Sequence, residues 1–128
     1  MKAGFLQLAL FAACAAAIMP AHAQHDPVLG AGGLSCAKYL ELRNAGDIET
    51  VVLANVHSWA QGFISGMNVA VLAARIEAGE KDAQLFAQPD PAAIGAHLEK
   101  YCTQNPSKDV VTAASALWTS VRKAQLGL

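Results

Sequence analysis

No segment of this chain alternates apolar and polar residues over more than four positions, so nothing in it reads as a β-strand. Basic residues form no stripe, and nine Lys/Arg stand against ten Asp/Glu. That excludes the electrostatic footprint of a nucleic-acid partner. C-x-x-C is missing, and so is any His cluster near a cysteine, which removes dithiol redox chemistry and a zinc site. His57 and His97 have no carboxylate or second ligand at i+3 or i+4. Acid–base or metal chemistry would need such a partner, so both read as packed or boundary histidines. Ser58, Ser65 and Ser115 have no nucleophile-elbow context. Glu77, Glu80 and Asp82 lack the spacing of a calcium loop and read as a solvated turn. These absences leave no catalytic constellation, no cofactor and no metal. The expectation is a binding protein, not an enzyme.

What is present begins with a leader. Lys2 is a minimal positive start, Phe5 to Met19 is an apolar core, and Ala21-His22-Ala23 is a small-x-small cleavage site. Together they read as a secretory signal peptide cut after Ala23, and so as a periplasmic protein. The rival is a lipid anchor on Cys14. Phe11 is a poor opening for that signal, and the apolar run continues past Cys14. Residues 24–34 contain Pro27 and Gly30-Ala31-Gly32-Gly33 without periodicity, and read as a flexible leader. His25, close to the new N-terminus, is a place for adventitious copper. One domain, residues 35–128, remains, enough for a modest core.

That domain is organised around residues 51–74. At helical period they carry two adjacent apolar rows, Val52, Val56, Trp59, Phe63, Ala70 and Leu53, Ala60, Ile64, Met67, Val71, Ala74. The two rows exceed the stripe of roughly 100° carried by an ordinary surface helix, so cover on more than one side is expected. His57, Gln61 and Asn68 in the middle argue against a membrane span and against stable membrane insertion. The strip Asn55, Ser58, Gly62, Ser65, Gly66 is small and mildly polar. Helix-interior Gly costs roughly 1 kcal/mol against Ala, so a closely approaching neighbour is expected at Gly62 and Gly66.

The remaining elements follow from caps and breakers. Ser35 caps a first helix with Cys36, Tyr39 and Leu40 on one side, ended by Asn44-Ala45-Gly46. Asp47 caps the second helix, which should reach about Ala78 and stop at Gly79. Residues 80–88 read as a loop whose Leu85 and Phe86 tuck onto the core. Asp90-Pro91 starts a third helix, running to about Thr103, with Ile94, Leu98, Tyr101 and Cys102 inward. Asn105-Pro106 breaks it, and Ser107 caps a fourth helix with Asp109 in its first turn. That helix should bury Val110, Val111, Ala114, Leu117, Trp118 and Val121, with Trp59 and Trp118 as core anchors. The expected fold class is all-α, a small four-helix domain with one disulfide. Two cysteines, Cys36 and Cys102, remain after cleavage, and an even pair in an exported chain reads as that staple.

Ser35-Cys36-x-x-Tyr39-Leu40, Trp59 and Tyr101-Cys102-x-x-Asn105-Pro106, behind a signal peptide, resemble the HdeA/HdeB family of periplasmic acid-stress chaperones. In that likeness Cys36 and Cys102 match the family disulfide, and residues 101–106 match the tail of its third main helix. The middle of this chain is longer and richer in Ala than in that family, and its charge content is lower. The resemblance implies a chaperone that holds unfolded periplasmic proteins at low pH. Gly62-Phe63-Ile64-Ser65-Gly66 is also similar to a pattern in Rap/Tai-type periplasmic immunity proteins, which implies one cognate type VI secretion toxin as partner; those proteins commonly carry more cysteines. The client- or partner-binding residues expected on either reading are Val52, Val56, Trp59, Phe63, Ile64 and Met67. A homodimer is compatible with the sequence.

Acid supplies the rationale for the first reading. With Asp and Glu neutralised, every Lys and Arg, His25, His57, His97 and the new α-amino group carry unopposed positive charge. Self-repulsion then loosens the compact state, while the Cys36–Cys102 staple keeps the chain from becoming a random coil. Expansion would expose the two apolar rows to clients.

Overall fold

Three helix starts are made by oxygen-bearing side chains that accept a backbone N–H left free by the first turn. Ser35 Oγ accepts from Lys38 N at 3.2 Å, Asp90 Oδ1 from Ala93 N at 2.7 Å, and Asp109 Oδ1 from Thr112 N at 2.9 Å. The computed structural model of the protein describes residues 30–45 and 47–128. The expected signal peptide, Cys14, His25 and the Gly46 stop lie outside those residues. Among the described residues there are four α-helices: α1 (Cys36–Arg43), α2 (Asp47–Glu77), α3 (Pro91–Gln104) and α4 (Val110–Leu126). No strand is present among them, so the fold is all-α. Asp47 is the first helical residue of α2.

The core forms where α1, α3 and α4 close on one side of α2. Tyr39, Val56, Ala60, Ile64, Ile94, Leu98, Val110, Ala113 and Ala114 are all sealed from solvent. Cys36 and Cys102 are bonded to each other and fully buried, tying α1 to α3. Tyr101, Val111 and Val121 are half-buried at the margin.

The end of α2 shows why it stops. Gly79 takes φ +84°, a left-handed value that side chains disfavour. Gly79 N donates to Ile76 O at 2.9 Å and Glu80 N to Arg75 O at 3.0 Å. This paired closure satisfies two of the helix's last carbonyls.

Four expectations need correction. Residues 30–34 are not a free leader: Gly30–Gly33 form a 3₁₀ turn, Gly32 is buried, and Ala31 and Leu34 pack on the core. Leu34 O accepts from Val110 N at 2.9 Å and Cys36 N donates to Lys108 O at 2.8 Å, so this segment is paired to the α3–α4 connection. The same pairing displaces the cap of α4. Pro106 and Lys108 spend their carbonyls on α1 (Ala37 N also reaches Pro106 O at 3.2 Å), and the helix therefore starts on Asp109, not Ser107. Leu85 does not tuck in; it is 55% exposed, while Phe86 is half-buried.

The fourth correction concerns Gly62 and Gly66. A Cβ at either would meet nothing within 4 Å, because both lie on the outer face of α2. They therefore carry only the helix penalty of Gly. Gly62→Ala and Gly66→Ala are each expected to stabilise the protein by up to about 1 kcal/mol. A fall in the urea midpoint for either variant would show that a neighbour does press on that face.

Candidate protein-binding surface on α2

From Val51 to Ala74 the second helix carries no Asp, Glu, Lys or Arg. It is this stretch, in the middle of a helix of 31 residues and roughly 46 Å, that holds all six expected binding residues. The structure does not present them as one surface. Val56 and Ile64 are buried, each about 1% exposed. Trp59, Phe63 and Met67 are half-buried and packed against the core. Val52 is exposed, at 40%. Trp59 and Phe63 stack on each other with ring centroids 5.3 Å apart, and Gly30 lies beside the indole. The two rows read from the sequence thus become an inner surface and a margin.

The outward face holds Val51, Val69 and Ile76, all more than half exposed, with Gly62 and Gly66 open between them. It offers apolar contact without charge, available while the fold is closed.

One flank of α2 is covered by residues 80–90, which have no regular structure beyond turns. Asn68 is the anchor of this strap. Its side chain is 2% exposed. Its Nδ2 donates to Phe86 O at 3.1 Å, and its Oδ1 accepts from Trp118 Nε1 of α4 at 2.8 Å. Further ties come from Ser65 with Gln88, from Arg75 Nη1 to Gln84 O at 3.0 Å, and from Ala87 N to Gln125 Oε1 at 3.0 Å. Arg75 lies over the Phe86 ring and pairs with Glu80. That pairing holds the Glu80 carboxyl below its usual range. Glu77, Glu80 and Asp82 are otherwise solvated.

The histidines sit at helix junctions. His57 Nε2 meets Tyr39 Oη at 3.0 Å, linking α2 to α1. His97 Nε2 donates to Ala113 O at 3.1 Å, linking α3 to α4. Burial lowers both pKa values, His57 further through Arg43. The Ala113 carbonyl opposes part of the shift at His97. Burial raises Tyr39. At the α4 cap, hydrogen bonds from Thr112 hold Asp109 below the usual carboxylate range.

Among the described residues, no group of three or more His, Cys, Asp or Glu is placed to hold a metal ion. No helix there is long and apolar enough to cross a membrane. Two polar contacts were not legible in the residues taken singly, Asn68–Trp118 and Tyr39–His57. A signal for the first existed: Asn68 follows Ile64 by one turn on an otherwise apolar face, and a polar group there must find a partner. No family model, no curated protein and no solved structure matches this chain.

Proposed function

We propose that this is a non-enzymatic, exported binding protein that holds acid-unfolded clients in the periplasm, on the pattern of the HdeA/HdeB chaperones it resembles. The observation that carries the reading is the division of α2. Its uncharged stretch keeps Val56, Trp59, Phe63, Ile64 and Met67 under a single layer of short elements. Loss of that layer would turn one rigid helix into a long apolar client-binding surface.

Acid has identifiable targets in this layer. The folded pKa of Asp109 is depressed by its bonds to Thr112, so its contribution is complete above the ordinary carboxylate value and drains as pH falls through the folded one. Neutralised, Asp109 loses its charge-assisted grip on the start of α4. At the same time Lys, Arg and His charges go unopposed, and their repulsion favours expansion. The Cys36–Cys102 bond holds α1 to α3 throughout.

The test is light scattering from a model client acidified to about pH 2–3 with and without the mature protein, followed alongside by dye binding. Suppressed aggregation together with a dye-binding, expanded protein is the expected result. A protein that stays compact and leaves the client to aggregate would reject the reading. The exposed Val51, Val69 and Ile76 face favours a second one, a single cognate protein, such as a secreted toxin, bound at neutral pH in the closed state. Capture of one partner at pH 7 that Val69→Lys abolishes would support that alternative.

A further inference from the structure

Three helices meet around the ring of His57, and the polar groups there form a chain. His57 Nε2 lies 3.0 Å from the hydroxyl of Tyr39, a residue with no solvent exposure. Arg43, one turn further along α1, sets its charge beside the same hydroxyl and pairs with Glu99 of α3 at 2.8 Å. On its other side the ring rests on Gly95 of α3, where an added Cβ would stand 3.1 Å from His57 Cε1. A glycine inside a helix costs roughly 1 kcal/mol, and here its bareness is what admits the imidazole.

The Tyr39 hydroxyl and the His57 ring share one hydrogen bond inside this junction, and Gly95 closes the space on the other side of the ring. We infer that this junction is a pH-sensing latch: protonation of His57 places a second cation beside Arg43 in this closed space and unseats α2 from α1 and α3 under mildly acid conditions, before the carboxylates titrate. Tyr39 and Arg43 of α1 face His57, and residues 51–74 of α2 itself supply no charge. Glu99 of α3 is already engaged with Arg43, so the new cation stands beside that arginine without a carboxylate of its own.

The direction of the pH dependence agrees with this geometry. Burial first, and Arg43 second, hold His57 below its ordinary value. A depressed folded pKa means that the junction contributes fully above the ordinary value of about 6.5. Its contribution drains as pH falls from there through the folded pKa. His97 is also held below its ordinary value by burial and adds to the same loss, but its Nε2 donates to a carbonyl and keeps that bond when charged.

The latch rests on the acid-response reading for its use, as the first step of opening, but it is testable with no client present. Full-length mature protein is titrated by NMR at the histidine rings from pH 8 to 4.5, and thermal midpoints are recorded over the same range. The expected result is a His57 midpoint below that of a free histidine and a thermal midpoint that falls in step with it. His57→Gln should flatten that part of the profile, and His97→Gln should flatten it less. Arg43→Gln, which removes the neighbouring charge, should raise the His57 midpoint, and it serves if His57→Gln does not fold. An ordinary His57 midpoint, or a profile that neither junction variant alters, overturns the latch. A working latch in a protein that fails to protect a client at pH 2–3 would overturn the chaperone reading alone.

Discussion

Reduction of the Cys36–Cys102 bond is expected to remove about 4 kcal/mol of stability, the largest single loss available to this protein without touching its packing. The bond closes a loop of 66 residues. In the chain-entropy account, a loop of that size restricts the unfolded state by about 4 kcal/mol. A domain of this length has about 5–15 kcal/mol in total. The loss is therefore the difference between a folded and a marginal protein. Both sulfurs are fully buried between α1 and α3, so the reduced form also gains no compensating hydration while it stays folded. Protein recovered from the periplasm should begin at Gln24 by intact mass and show no titratable thiol. Urea unfolding with and without reductant then measures the effect. Two free thiols in native protein, or an unchanged midpoint on reduction, would remove the staple from the account.

Asn68→Leu is expected to cost about 2–4 kcal/mol, although the replacement is apolar and of similar size. The wild-type amide serves two elements at once. It accepts the indole N–H of Trp118 and donates to the carbonyl of Phe86. Leucine leaves both groups buried or half-buried without a partner, and each orphan costs about 1–3 kcal/mol. The strap of residues 80–90 should also loosen, since the Phe86 carbonyl is one of the points that tie it to α2. Trp118→Phe provides the control. It removes the indole donor in advance, so Asn68→Leu should cost less in that background, and the shortfall measures the coupling. Equal costs in the two backgrounds would mean that the Asn68–Trp118 bond carries no stability. Hydrogen exchange at residues 84–88 would report the strap separately from the core.

The caps and breakers, read with helical periodicity, determined most of the architecture. Ser35 and Asp90-Pro91 start helices because their side-chain oxygens or fixed φ satisfy the first turn locally. Gly79 ends α2 because a left-handed residue closes its last carbonyls. Such signals act within a few residues, so the chain alone carries them. The apolar rows of α2 likewise marked out the centre of the domain, and Cys36 and Cys102 supplied its crosslink.

Only the tertiary structure decided which side of α2 is covered. Two rows wide enough to call for cover on more than one side receive α1, α3 and α4 on one side and residues 80–90 on a flank, and the outer face is left open. That is why Gly62 and Gly66 stand open where a close neighbour was expected. It is also why Val52 and Val56, one turn apart in the same row, end at 40% and 1% exposure. The docking of residues 30–34 and the shift of the α4 cap to Asp109 come from hydrogen bonds between segments 69 to 76 residues apart in sequence. The partners of His57 and Asn68 come from other helices too. A polar residue on an apolar face announces that it needs a partner; which one it finds depends on how the helices cross, and no local spacing encodes that.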